Sequence, residues 1–195
     1  MAKIGQINPN SKPKTFCSID ASTNNLAFAI FSDDKLVQYG KIVFSGLSVY
    51  DKIYDASRKV HSLFSQINNF SAIIIEQTIF ANSPKTAAQL ALVQGAILGA
   101  AAQLGVKKIG STSPMVWQNF IGNKKLTKAE KLDLMLDNPE KSNSWLKNAE
   151  RSLRKQRTID FVNVNYDKMI NDDDVADAIA IGHWAIKNWN KAFTY

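Results

Sequence analysis

Four acidic side chains stand out by their surroundings. Asp20 follows the apolar run FCSI and precedes AST, Glu76 closes the run AIII, and Asp174 and Asp177 stand three residues apart behind Asp172 and Asp173. A carboxylate in or at the end of a buried strand is costly unless it is paired or holds a cation. Residues three apart on a helix share a face. Asp174 and Asp177 would therefore flank the buried edge of a helix whose apolar stripe is Val175, Ala178, Ile179, Gly182, Ile186 and Trp189. Each feature alone has an ordinary explanation. A strand-end Asp serves as a turn or cap, a strand-end Glu as a solvated edge, and an Asp run before a helix as a cap worth about 1 kcal/mol. Together, however, the four can converge on one point of a mixed sheet. Such an all-oxygen donor set suits Mg²⁺ or Mn²⁺. Two such ions about 4 Å apart activate a water and stabilise the leaving oxygen in phosphodiester hydrolysis. Among the three adjacent aspartates, only Asp174 lies three residues before Asp177, which favours it over Asp172 and Asp173.

A second group is cationic. Lys147, Arg151, Arg154 and Lys155 recur along one side of a helical stretch, with Arg157 beyond them and Leu146, Ala149 and Leu153 as the opposing apolar side. Lys124, Lys125, Lys128 and Lys131 precede them. Such a stripe is either a solvated helix face or a row of phosphate contacts; beside an acidic metal site the second reading gains weight. A third pattern carries no charge. Ala87, Ala91, Gly95 and Gly99 repeat every four residues, so small side chains would line one helix face. That face either packs on the protein's own sheet or admits a second backbone closely, as at a two-fold dimer interface.

The elements that must position these groups follow from periodicity and turn residues. Thr15 to Asp20, Leu26 to Phe31 and Leu36 to Phe44 read as strands in an antiparallel meander, with a turn at Ser32-Asp33-Asp34-Lys35. Val49 to Phe70 has helical spacing, Ala72 to Ile75 is a short buried strand, and Pro84 opens an Ala-rich helix to Leu104. Val106 to Ile109 is read as a fifth strand, and Pro114–Ile121, Thr127–Leu136, Ser144–Val164 and Asp173–Trp189 as helices. The expected fold is α/β, a five-stranded mixed sheet flanked by helices. Residues 1–14 read as a flexible arm, and residues 15–195 as one domain with a basic helical insertion at about 123–170.

Composition bounds the reading. With 45% hydrophobic residues among 195 there is material for a real core. One cysteine, Cys17, excludes an internal disulfide and a cysteine-based zinc site; it, His61 and His183 read as structural. The net charge of +7 favours an anionic partner. That charge is concentrated: residues 101–170 hold 13 Lys/Arg against 7 Asp/Glu, whereas residues 171–195 hold 2 against 4. Thr86 to Val106 lacks charge, but its glutamines, alanines and glycines suit a buried helix better than a bilayer. No apolar leader-type segment is visible at the N-terminus, so the expected location is cytoplasmic, beside the nucleoid.

Three segments in order, SIDASTNNLAFAIF, IIIEQTIFANSPKTAAQLALVQGAILGAAAQ and DDDVADAIAIGHWA, together resemble the RuvC family of Holliday junction resolvases. The resemblance covers most of residues 15–122 and 171–186. Its divergence elsewhere is more in keeping with a bacteriophage or other viral branch, which would place the protein in a host cell's cytoplasm. It implies a ribonuclease-H-like fold, a homodimer, and cutting of four-way DNA junctions by paired symmetric nicks, with two Mg²⁺ ions per site (Mn²⁺ as substitute) and 5′-phosphate ends. The family's metal-binding carboxylates fall on Asp20, Glu76, Asp174 and Asp177. Its dimer helix falls on the stripe of Ala87, Ala91, Gly95 and Gly99. Three departures follow. The family's junction-centre aromatic falls at Ile79, leaving the neighbouring Phe80 as candidate; one family lysine falls on Trp117; a second maps to Lys128. Residues 132–170 have no counterpart. The readings that compete are a nuclease of broader taste for flaps and forks, a relative of sugar kinases and actin-like ATPases, and a junction-binding protein with a dead site. The ATPase reading lacks a second glycine-rich loop and a second domain.

Overall fold

The computed structural model describes residues 15–78 and 83–194; the expected arm at residues 1–14 and the candidate Phe80 lie outside them. Three strands open the chain: β1 (Thr15–Ala21), β2 (Asn25–Ser32) and β3 (Lys35–Val43). β2 pairs antiparallel with β1 on one side and with β3 on the other. The β2–β3 turn has Asp33 and Asp34 at φ of 46° and 67°. Two left-handed residues suit a two-residue hairpin whose twist matches its strands, and Asp tolerates that region better than most side chains. Helix α1 (Val49–Ser65) follows, then β4 (Phe70–Glu76), α2 (Pro84–Gln103) and β5 (Lys108–Thr112). Helices α3 (Pro114–Phe120), α4 (Lys128–Leu136), α5 (Asn143–Tyr166) and α6 (Asp173–Lys187) complete the chain, with a 3₁₀ turn at Trp189–Phe193. The sheet order is β3-β2-β1-β4-β5, with β1/β4 and β4/β5 parallel.

The five-stranded mixed sheet matches the expectation, while several boundaries move. The fifth strand begins at Lys108 rather than Val106, because Val106 N–H bonds back to Ala101 O and closes α2 behind Gly105 at φ +81°. Helix α1 stops at Ser65, and Phe70 belongs to the next strand. Helix α6 stops at Lys187 and tightens into 3₁₀. Leu153, on the apolar side of α5 opposite the basic stripe, is 40% exposed. The buried residues of that helix are Thr158 and Val162, so its first turns stand away from the core.

Strand alternation divides the core in two. Cys17, Ile19, Phe28, Ile30, Ile73 and Ile75 face α1 and α2, meeting Val60, Phe64, Val93 and Ile97. Phe16, Ala27, Ala29, Phe31, Ala72 and Ile74 face the other way, meeting Val175, Ala178, Ile179 and Trp184. Asp20 has the parity of Phe16, and Glu76 that of Ala72 and Ile74. Both carboxylates therefore emerge on the α6 side, at the C-terminal ends of neighbouring parallel strands.

Candidate active site

What brings α6 to Asp20 is a close crossing over the sheet. Ser18 Oγ donates to Ala178 O at 2.7 Å. Four residues on, Gly182 lies so near that a Cβ there would come 2.1 Å from Phe31 and 2.6 Å from Ser18 Oγ. Small residues at 178 and 182 let the backbone settle onto β1 and β2, and this registers the start of α6 beside the ends of β1 and β4. Asp172 caps that start by accepting from Val175 N–H at 3.1 Å.

The four expected carboxylates are drawn into one electrostatic neighbourhood. Burial first, then Glu76, Asp174 and Asp173, push the Asp20 carboxyl up to about 8, with Lys41 opposing. Burial raises Glu76 to about 7, against the hydrogen bond from Trp117. Asp177 lies well above the ordinary carboxylate range, through burial and then Asp20, Glu76 and Asp173. Crowded, partly buried carboxylates of this kind repel one another until a cation or protons intervene. Among the described residues no three are gathered tightly enough to chelate one ion. Asp174 is instead turned to the Lys41 ammonium at 2.5 Å, and Asp172 meets the same ammonium at 3.0 Å. Against the penalty of burial, those two aspartates hold the Lys41 pKa above its ordinary value. The donor set is nonetheless that of a hard divalent cation: carboxylate oxygens from β1, β4 and α6, in excess over the local positive charge.

Two members of this site escaped the sequence reading. Trp117, fully buried on α3, donates its indole N–H to Glu76 Oε2 at 2.6 Å and so fixes that carboxylate's orientation. It stands where the resemblance had suggested a lost lysine. Lys41 is the other; its signal was its strand parity, legible only once the β2–β3 register is known. The neighbours of Asp174 also acquire distinct partners, since Asp173 pairs with Lys155 while Asp172 serves as cap.

The basic stripe meets the acidic site in one cleft. Lys147, Arg151, Arg154, Lys155, Thr158 and Asp177 share a cleft of about 460 Å³ with Gln118, Asn123 and Glu150. Arg154 donates to Gln118 Oε1, and both line the cleft. Lys124 and Lys125 border a second hollow that Arg154 also lines, and both are exposed, as is Lys128. The glycine stripe faces solvent rather than the sheet. A Cβ at Gly95 or Gly99 would meet nothing within 4 Å, while Val93, Ile97, Ala100 and Ala101 form the buried face of α2. That removes the reading in which the stripe packs on its own sheet. His183 is structural: Nδ1 lies 2.9 Å from the Tyr166 hydroxyl, and Phe120 and Phe161 flank the ring.

A mixed β3-β2-β1-β4-β5 sheet flanked by helices is a ribonuclease-H-like fold. The chain matches Thermus thermophilus RuvC in complex with a Holliday junction substrate at TM-score 0.65 and 14% identity, over 91% of this chain and 98% of that one. It matches the Thermus thermophilus RuvC structure at TM-score 0.63 over the same shares, again at 14% identity. A weaker likeness, TM-score 0.48 and 13% identity over 89% of this chain and 78% of the other, is to the yeast mitochondrial Holliday junction resolvase Ydc2. No family model matches the sequence, and no curated protein matches it significantly. The fold is that of the Thermus thermophilus RuvC structures. Among the described residues no helix is long and apolar enough to cross a membrane, so the uncharged α2 is not a span.

Proposed function

We propose that this protein is a metal-dependent, structure-selective DNA endonuclease that resolves four-way junctions by paired symmetric nicks. The observation that carries the reading is Asp177, which belongs at once to the acidic cluster and to the cleft lined by the cations of α5. A phosphate held by Lys147, Arg151, Arg154 and Lys155 would lie against the carboxylates. Asp20, Glu76, Asp174 and Asp177 would hold two divalent ions. When bound, those ions supply an activated water and stabilise the leaving oxygen. Trp117 keeps Glu76 oriented, and the half-buried setting keeps bulk water from screening the centre. Lys124, Lys125 and Lys128 extend the phosphate track, where contacts are to backbone and select branch shape more than base sequence.

A four-way junction has near two-fold symmetry, so a C2 dimer supplies two centres at fixed separation. The outward stripe Ala87, Ala91, Gly95 and Gly99 on α2 supports dimerisation through that helix. The test is cleavage of a synthetic four-way junction, a flap, a fork and a linear duplex of shared sequence, in Mg²⁺ and in EDTA. Metal-dependent cutting of the four-way junction well above the duplex is expected. Equal cutting of flap and fork would move the reading to a general branched-DNA nuclease. Inertness in Mg²⁺ and Mn²⁺ with intact junction binding would leave a binding protein.

A further inference from the structure

Lys41 stands two strands from Asp20. The pairings Asp20↔Ala27 and Ala27↔Lys41 place the three side chains in one row on the α6 face of the sheet. Two strand spacings are roughly 10 Å, within a lysine's reach only if nothing bulky intervenes. The intervening residue is a fully buried alanine, Ala27. The ammonium contacts Asp174 at 2.5 Å and Asp172 at 3.0 Å. Both partners stay in contact with solvent, the lysine side chain at 26% and Asp174 at 30% exposure. An ammonium on a flexible four-carbon stem can therefore leave into water without unfolding anything. Asp174 has two possible cations, Lys41 and a metal ion, and one carboxylate.

We propose that Lys41 is a built-in counter-cation: it holds Asp174 and Asp172 in the metal-free protein, gives Asp174 up when a divalent ion enters, and so sets the cation affinity of the cluster. The inference rests on reading the cluster as a metal centre. It makes Lys41 a positioning residue with two opposed effects. It relieves carboxylate repulsion when the site is empty, and it competes with the ion when the site fills. An ordinary surface ion pair has only the first effect, and a small one.

The experiment measures Mn²⁺ binding by calorimetry and thermal melting in EDTA, for wild type, Lys41→Met and Lys41→Arg, at pH 7.5. Lys41→Met keeps the stem and removes the charge. It should melt lower without metal yet bind Mn²⁺ roughly five- to ten-fold tighter, the size expected for one unit charge removed from a solvent-reached cluster. Lys41→Arg, which restores the charge, should return both readouts to near the wild type. Lys41→Gln repeats the comparison if the methionine variant aggregates. Equal Mn²⁺ affinity in wild type and Lys41→Met overturns the proposal, whatever happens to the melting point. Absence of Mn²⁺ binding in the wild type overturns the metal-centre reading itself, and this inference with it.

Discussion

Replacing Asp20 by asparagine should stabilise the metal-free protein, although Asp20 is central to the proposed chemistry. An acid whose folded-state pKa exceeds its unfolded value keeps its proton longer in the folded chain. Its folded form is favoured at low pH and loses stability as pH rises from the unfolded value to the folded one. For Asp20 the window runs from the ordinary 3.8 to about 8. One such group changes stability by at most about 1.4 kcal/mol per pH unit. Across some four units the ceiling is about 6 kcal/mol for a carboxyl wholly cut off from water. Asp20 is only partly buried and water screens its neighbours, so about 2–4 kcal/mol is the expected gain for Asp20→Asn at pH 8. In a chain of 195 residues this corresponds to a rise of roughly 5–10 °C. The assay is thermal melting of both proteins in EDTA from pH 5 to 8.5. The wild type should melt progressively lower as pH rises, the variant should show a flatter profile, and the gap should shrink toward pH 5 and close only near pH 4. Saturating Mg²⁺ should narrow the gap at pH 8, because the ion stabilises only the charged site. An Asp20→Asn variant that melts at or below the wild type at pH 8 in EDTA would refute the electrostatic account of the cluster.

Three further outcomes follow from the geometry. Gly182→Ala places a Cβ inside contact distance of Phe31 and Ser18, so urea denaturation should show a loss of about 2–3 kcal/mol, the cost of overpacking a tight crossing. Alanine at Lys147, Arg151, Arg154 and Lys155 together should weaken junction binding and flatten its dependence on salt, by about 0.9 in the logarithmic slope per lost phosphate contact; an unchanged slope would remove α5 from the interface. Gly95→Leu fills open space on an exposed face, so the monomer fold should be kept while sedimentation shifts toward monomer and junction products shift from paired to single nicks.

The carboxylates were legible early because each breaks a local rule. A charged residue at the end of an apolar strand is conspicuous from Asp20 and Glu76 alone, and the spacing of Asp174 and Asp177 fixes a shared helix face. The sheet followed from turn residues and apolar runs, down to the Asp33-Asp34 hairpin. What stayed hidden depends on register and crossing. Lys41 looks like any alternating charge on an edge strand until pairing sets it in line with Ala27 and Asp20. Trp117 reads as core, which it is, and its one polar atom finds Glu76 only in three dimensions. The start of the fifth strand moves for a local reason: Val106 is apolar enough for a strand but is used to close α2. Helical spacing puts Leu153 on an apolar side of α5, and spacing does not reveal whether anything lies opposite.

The claim on which the account rests is that the acidic cluster and the basic cleft form one metal-dependent cutting centre, joined at Asp177. Its most direct measurement compares wild type with Asp177→Asn on a labelled four-way junction in Mg²⁺, following binding and cleavage in the same samples. The account requires cleavage to fall by several orders of magnitude while junction affinity holds or rises, because a charge that repels phosphate has been removed. An Asp177→Asn protein that cuts the junction at the wild-type rate would contradict it.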